Sequence, residues 1–499
     1  MATAGWVTTR RTSRRSRSLS FTRKSPSGRT CEGYLEHLLG HKNVSREEAD
    51  KILAVCHEKF EQQLEAARTG QCAVAPAARN VWNDYAGGRE PADEPETGVE
   101  ASQLSAVLEK LTELPAGFKV HAKLERMLTA RREMAAGKAP LDWSAAEALA
   151  LATLAMAGTP VRMTGQDTGR GTFSHRHAIL YDQTDGHTFV PLQHLAPEQS
   201  AVQIFNSPLC ENGVLGFEYG YSLDCPKSLV IWEAQFGDFV NVAQVILDQF
   251  IISAEVKWRR LSGLVLLLPH GFEGMGPEHS SARMERFLMQ SAEDNIQVVQ
   301  PTTPAQLFHV LRRQAIRNWR KPLIVFTPKS LLRHPQVIST LEDCAHGTFQ
   351  RVLPDVPKLA NAKRILLCTG KVYYDLLAYR EEHKHYHVAI IRLEQLYPLP
   401  ATALDAVLTD YADGTPAFWV QEEPANMGAW RYLHEKLGGK LFNRFPLAPV
   451  SRVESASPAT GSSHAHKLQQ AQLLACAFGD PEPDADAVFA IKKTGATEK

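Results

Sequence analysis

Cysteine is sparse and unpatterned. Eight occur in 499 residues, at positions 31, 56, 72, 210, 225, 344, 368 and 476, with no CxxC pair and no regular spacing; that argues against a structural zinc site or a disulfide framework. Long apolar runs are missing. The longest, residues 264–269, is strand-sized and far short of the roughly 18 to 20 residues of a membrane span, so a soluble intracellular protein with no membrane partner is expected. A surplus of charge is also missing: Lys and Arg number 55, as do Asp and Glu. A dedicated nucleic-acid binder carries a basic excess, so no nucleic-acid partner is expected. The balance conceals an asymmetry, because residues 1–30 hold eight basic residues and no acid, leaving the remainder acidic by eight. This leader has the composition of an organellar transit peptide without the apolar core of a secretory signal; a disordered tail or a misassigned start are the alternative readings. The HExxH and GxSxG signatures do not occur.

What is present is a globular composition, 44% hydrophobic and 22% charged, in a chain long enough for two to four domains at about 100 to 200 residues each. Residues 31–70 read as helix, with Ser45 placed to cap and acids in the first turn, where they complement the helix dipole. Residues 80–98, polar with Pro and Gly, read as a linker or surface loop. Residues 101–157 are helical again, stopped by Gly158 and Pro160. From 159 to 327 short β-branched and leucine runs (PVRMTG, HAILYD, SLVIWEA, GLVLLLP, IQVVQP, PLIVFTP) alternate with helical stretches, the pattern of a parallel sheet covered by helices. RILLCTG, HVAIIRLEQ and AFWVQEE restart it. The expected fold class is α/β, a parallel-sheet domain followed by a smaller α/β domain over 346–499.

Four segments carry candidate chemistry. HGFEGMGPEHSSARMERF (270–287) joins a strand end to a Gly-rich loop, with a helix expected to open at Ser280 or Ser281. Ligands gather at the carboxyl ends of parallel strands, so His270 and His279 are placed to meet an anion or exchange protons near neutral pH. The glycine spacing matches neither a dinucleotide fingerprint nor a Walker A loop. In FNSPLCENGVLGFEYGYS (205–222), Ser207 is placed to cap and Pro208 to open a helix. Glu211 then either complements the dipole or, buried among Leu209, Val214, Leu215 and Phe217, hydrogen-bonds a ligand ring nitrogen. In WEAQFGDFVNVAQVILDQF (232–250), Phe236 and Phe239 are placed to stack on a heteroaromatic ligand or to join the core. TGQDTGRGTFSHRHA (164–178) is dense in charge; HRH alternation on a strand would put both histidines on one face and Arg176 on the other.

These segments, with TPKSLLRHP, KVYYDLL, RLEQLYPLP, QEEPANMGAW and SASPATGS, resemble the thiamine-diphosphate-dependent dehydrogenase component of 2-oxoglutarate dehydrogenase complexes, over about residues 31–475. The resemblance implies a transketolase-like pyrimidine-binding domain over 146–345, the C-terminal α/β domain over 346–499, and in 31–145 a helical remnant of the diphosphate domain and connector. It implies Glu211 as the carboxylate that bonds the cofactor's aminopyrimidine and promotes its imino tautomer. His279 matches a histidine assisting proton or acyl transfer, His270 is its neighbour, and Phe236 or Phe239 is the stacking ring. The implied reaction is oxidative decarboxylation of 2-oxoglutarate, with 2-oxoadipate a close alternative because one methylene is weakly discriminated. The implied partner is the lipoyl domain of a succinyltransferase. The family's GDG…N magnesium motif does not occur in this sequence. Mg2+ ligands are therefore expected outside this chain; a homodimer is expected, which would supply only half of each site, or else a separate diphosphate-domain chain that completes it. A non-catalytic dimerisation or lipoyl-domain-binding fragment is the competing reading. A cytoplasmic location is expected, or the mitochondrial matrix if residues 1–30 are a transit peptide.

Overall fold

The computed structural model describes residues 27–41, 44–69, 81–359 and 361–481; most of the basic leader lies outside them. The chain divides between Asn80 and Val81 into two units. The first contains the helices Ser27–Gly40 and Arg46–Arg68. In the second of these the expected cap is a full capping box, the Ser45 hydroxyl accepting from the Glu48 amide while the Glu48 carboxylate accepts from the Ser45 amide at 2.8 Å. Residues 81–145, expected to continue this helical segment, belong instead with the sheets of the second unit.

The second unit holds two large sheets and a small antiparallel hairpin, Leu180–Tyr181 with Thr188–Phe189. In the first, the order is Gln395–Tyr397, Gln297–Val299, Leu323–Thr327, Val265–Pro269, Leu229–Glu233, Val161–Gly165, Val202–Asn206. All pairings are parallel except that of Gln395–Tyr397. LVIWE, VLLLP and LIVFT are buried at every position, as continuous apolar runs must be when helices cover both faces. The Ala-rich helix Trp143–Met156 is nearly all buried because its small side chains let Pro304–Ile316 approach closely. In the second sheet, Phe445–Arg452, Ala417–Pro424, Arg364–Cys368 and Val388–Leu393 run parallel, with short antiparallel edges Lys440–Leu441 and Val352–Leu353.

The run HVAIIRLEQ, read as one strand, is divided between the sheets. Val388–Leu393 pairs in the second sheet and Gln395–Tyr397 in the first. Between them Glu394 is fully buried, its carboxylate accepting from the Thr302 amide at 2.8 Å and the Thr302 hydroxyl at 2.6 Å. Consecutive residues thus staple the sheets, and one hydrophobic cluster runs through both.

One sequence reading is narrowed here and one corrected. Of the two readings of residues 80–98, linker or surface loop, residues 81–98 follow the second, as a surface strap tied down by ion pairs. Glu94 pairs with Arg313 at 3.3 Å and Arg351 at 2.6 Å, Glu90 with Arg317 at 3.0 Å, and Thr97 is fully buried; a strap of acids answers cations that would otherwise be buried unpaired. The second concerns Gly237–Trp258, a helical run long and apolar enough to cross a membrane by length and composition. Asp238, Asn241, Asp248 and Glu255 interrupt its pattern in the sequence. In the fold it breaks into 3-10, α and π turns that bury Leu247 and Ile251 against the sheet and expose Val242, Val245 and Val256.

Candidate active site

Because its strands are parallel, the first sheet delivers the loops after Gly165, Asn206, Glu233, Pro269 and Thr327 to one edge. Glu211 is the first residue of the helix Glu211–Asp224. Ser207 does not cap it: its amide bonds the Gly165 carbonyl at 2.8 Å, prolonging the strand, so the N-cap falls on Cys210 with φ −160°. Of the apolar neighbours expected to bury Glu211, Leu215 is buried while Leu209 and Phe217 are exposed. The carboxylate is buried all the same, at 9% exposure, and accepts from Gln166 Nε2 at 3.1 Å. The next residue, Asp167, accepts from Gln235 Nε2 at 3.0 Å. Two consecutive residues of one loop therefore link Glu211 to the turn that carries Phe236 and Phe239.

On that turn the rings form a cluster. Phe236 meets Phe239 edge-on at 5.6 Å between centroids, Phe173 at 5.8 Å, and the His279 imidazole at 4.2 Å. His279 closes a short 3-10 turn, Pro277–His279; the expected helix begins only at Met284, because Arg283 adopts φ 57°. Between the two phenylalanines, Asp238 has a buried Oδ1 without a hydrogen-bond partner among the described residues. Burial pushes its carboxyl pKa up to about 6 against the opposing pull of His279 and Lys329.

The folded chain thus holds the Asp238 proton more tightly than the unfolded chain, for which the ordinary value is 3.8. The contribution of this group to stability falls as pH rises between those values. An Asp238→Asn variant is expected to gain on the wild type from about pH 4 to about pH 6 and to hold its lead above that. Urea midpoints measured across that range check it; a difference independent of pH would sink the assignment.

His270 sits differently from His279. It is buried, its Nδ1 accepting from the Ala282 amide at 3.0 Å and its Nε2 donating to Glu423 Oε1 at 2.7 Å. Both ring nitrogens are committed, so His270 ties the Gly-rich loop to the second sheet. Burial opposes the charge of Glu423, but the hydrogen bond and charge interaction with His270 outweigh it and hold the carboxyl below its ordinary value.

Pattern reading missed the groups that hold these loops. Lys329 Nζ donates to the carbonyls of Gly271, at 2.6 Å, and of His279. Arg333 Nη2 donates to the carbonyls of Phe173, at 2.7 Å, and Ser174. Both come from TPKSLLRHP, and two cations in one turn after a buried strand were the available signal. HRH is no strand but part of a turn-rich loop, with φ 53° at Ser174 and 46° at His177. Arg176 nevertheless points inward, between Glu147 and Glu233, and all three are buried. Its Nε and Nη2 reach Glu147 at 2.5 and 2.9 Å; Nη1 and Nη2 reach Glu233 at 2.6 and 2.7 Å; Nη1 also meets the Thr168 carbonyl at 3.0 Å. All five guanidinium donors are satisfied. Glu233 ends the strand that leads to Phe236, so the network anchors both loops.

The donor set fits a nitrogen heterocycle: a buried carboxylate with one oxygen on Gln166 and acceptor capacity remaining for a ring N–H, aromatic faces for the ring, and a half-exposed imidazole beside them. Among the described residues the only cluster with metal-like convergence is Asp182, Asp185 and His187. These belong to a hairpin outside this site, where Asp182 accepts from the Lys119 and Thr184 amides and Asp185 pairs with His187.

Two family models match the chain: transketolase, pyrimidine binding domain, over residues 139–335, and 2-oxoglutarate dehydrogenase C-terminal, over residues 338–478. Among curated proteins, a 2-oxoglutarate dehydrogenase E1 component of Cupriavidus necator is 47% identical over 457 residues, 88% of this chain and 48% of that protein. Those of Coxiella burnetii, 47% identical over 90% of this chain and 48% of that protein, and Rickettsia typhi, 51% over 77% and 42%, are similar. The chain thus spans about half the length of the curated relatives it matches.

Proposed function

Starting from a chain that belongs, through these two domains, to the 2-oxoglutarate dehydrogenase E1 family, we propose that it forms the pyrimidine-binding part of a thiamine-diphosphate site. The reaction is oxidative decarboxylation of 2-oxoglutarate, with the succinyl group passed to a lipoyl group of a partner succinyltransferase. Carbon dioxide leaves, the lipoyl disulfide is reduced, one of its sulfurs is acylated and the other is left as a thiol. The observation that carries this reading is the coincidence at one sheet edge of buried Glu211 with the Phe236, Phe239 and His279 cluster.

When bound, the cofactor supplies the nucleophilic carbon and the electron sink that decarboxylation of a 2-oxo acid requires. Glu211 hydrogen-bonds the nitrogen of its pyrimidine ring, with Gln166 holding the carboxylate in place. Phe239 or Phe236 stacks on the ring, and the packed aromatic cluster keeps water from it. His279, its loop tied down by Lys329, exchanges a proton with the substrate. His270 acts by positioning that loop against Glu423.

The diphosphate and Mg2+ are held by residues outside these 499, in a second chain or in a longer protein of which this sequence is a portion. Exposed Leu209, Phe217, Val242 and Val245, close to the Glu211 helix, support docking with such a polypeptide, a homodimer included. Calorimetry with thiamine diphosphate and Mg2+ tests the proposal. No binding by the purified chain and saturable binding after addition of a diphosphate-domain chain are the expected results. Absence of binding in the mixture, with both chains folded and associated, defeats it and favours a non-catalytic module.

A further inference from the structure

On the far side of the loop that carries Phe173 lies a cavity of about 640 Å³, within the range of small-molecule sites. Phe173 faces Phe236 and the aromatic cluster, whereas Ser174, His175 and His177 line this cavity, and none of Glu211, Phe236, Phe239 and His279 does. Its lining includes His121, Lys123, Arg126, His175, His177 and Arg333. The one carboxylate in the lining, Asp142, is engaged as the N-cap of Trp143–Met156, accepting from the Ala145 amide at 2.7 Å. Three permanent cations therefore face one acid that is already committed.

Placement of the cations is unusual. Lys123 and Arg126 lie at the start of the helix Ala122–Ala135, where the helix dipole disfavours positive charge. Neither side chain has a hydrogen-bond or ion-pair partner among the described residues. Both amino-terminal helix ends at the cavity, after His121 and after Asp142, add positive potential. Such a potential, with unspent donors, is a receptor for negative charge.

We infer that this cavity binds a compact, multiply charged anion, recognised through phosphate or carboxylate groups by Lys123, Arg126 and Arg333. Arg333 also holds the carbonyls of Phe173 and Ser174, so the ligand touches the backbone support of the aromatic cluster. None of this depends on the cofactor assignment, since Glu211 takes no part.

Titration calorimetry of the 499-residue chain with inorganic pyrophosphate and with citrate, at constant ionic strength set by chloride, tests the inference. One saturable site per chain is expected. Tighter binding of pyrophosphate identifies a phosphate ligand, and tighter binding of citrate a polycarboxylate. The double variant Lys123→Ala/Arg126→Ala is expected to weaken binding at least tenfold. Its melting temperature without anion should be unchanged, since both side chains are exposed and unpaired. Lys227→Ala/Lys440→Ala, at exposed positions outside the cavity lining, should bind as the wild type does. No saturable binding, or equal loss in both double variants, overturns it.

Discussion

A chain carrying Arg176→Met is expected to lose about 3 to 5 kcal/mol of stability at neutral pH, the magnitude typical of breaking a buried ion pair by removing one partner. The guanidinium satisfies Glu147 and Glu233 together. Methionine fills much of the same volume but leaves two buried carboxylates facing each other in low dielectric. The sign of the pH dependence follows from Glu147. Burial raises its pKa, the charge and hydrogen bonds of Arg176 outweigh that, and the folded-state value lies below the ordinary 4.5. In the wild type this contribution is present above the ordinary value and lost as pH falls through the folded one. In the variant the carboxylates lose their counter-charge and take up protons more readily. The stability gap to the wild type should therefore narrow as the solution is acidified. Urea denaturation at two pH values measures both effects. A triple variant that also carries Glu147→Gln and Glu233→Gln should recover part of the loss, because neutral amides are cheaper to bury than unpaired carboxylates. A gap that stayed constant with pH would mean that packing, not charge, is what Arg176 contributes.

Glu211→Gln, assayed in an enzyme completed by its diphosphate-binding part, is expected to lower kcat by about 10² to 10⁴, the range for a positioned acid or base. Glutamine keeps the shape but removes the negative charge that, on the proposed reading, would hold a proton at the ligand ring nitrogen. The fold should be nearly indifferent: among the described residues the carboxylate accepts one hydrogen bond, from Gln166 at 3.1 Å, and a neutral acceptor replaces it, so a cost within about 1 kcal/mol is expected. The separation matters for interpretation, since a variant that melts as the wild type does and fails to turn over identifies chemistry rather than folding. Unchanged turnover would remove Glu211 from the catalytic set.

Local pattern made much of this protein legible. LVIWE, VLLLP and LIVFT read as buried parallel strands because covered sheets need unbroken apolar runs, and the structure buries them at every position. Phe236, Phe239 and His279 were singled out because they lie on loops that leave such strands, at Glu233 and Pro269, where parallel topology gathers side chains, and Glu211 because it falls in the first turn of a helix. Less local features misled. Ser207 and Pro208 have good helix-opening chemistry, yet the Gly165 carbonyl captures the Ser207 amide and moves the start to Cys210. The short strand Val202–Asn206 was passed over, since only Val202 and Ile204 in VQIFN are buried at this sheet edge.

By itself, then, the sequence determined the fully buried strands and the helices between them, because propensity and periodicity act within a few residues of the chain. Only the tertiary structure decided the partners: Glu147 for Arg176, Glu423 for His270, Lys329 for the His279 loop, and Glu90 and Glu94 for Arg313, Arg317 and Arg351. Pairings across 29 to 257 residues leave no periodic trace. A buried charge must be answered by whichever opposite group the order of strands brings beside it.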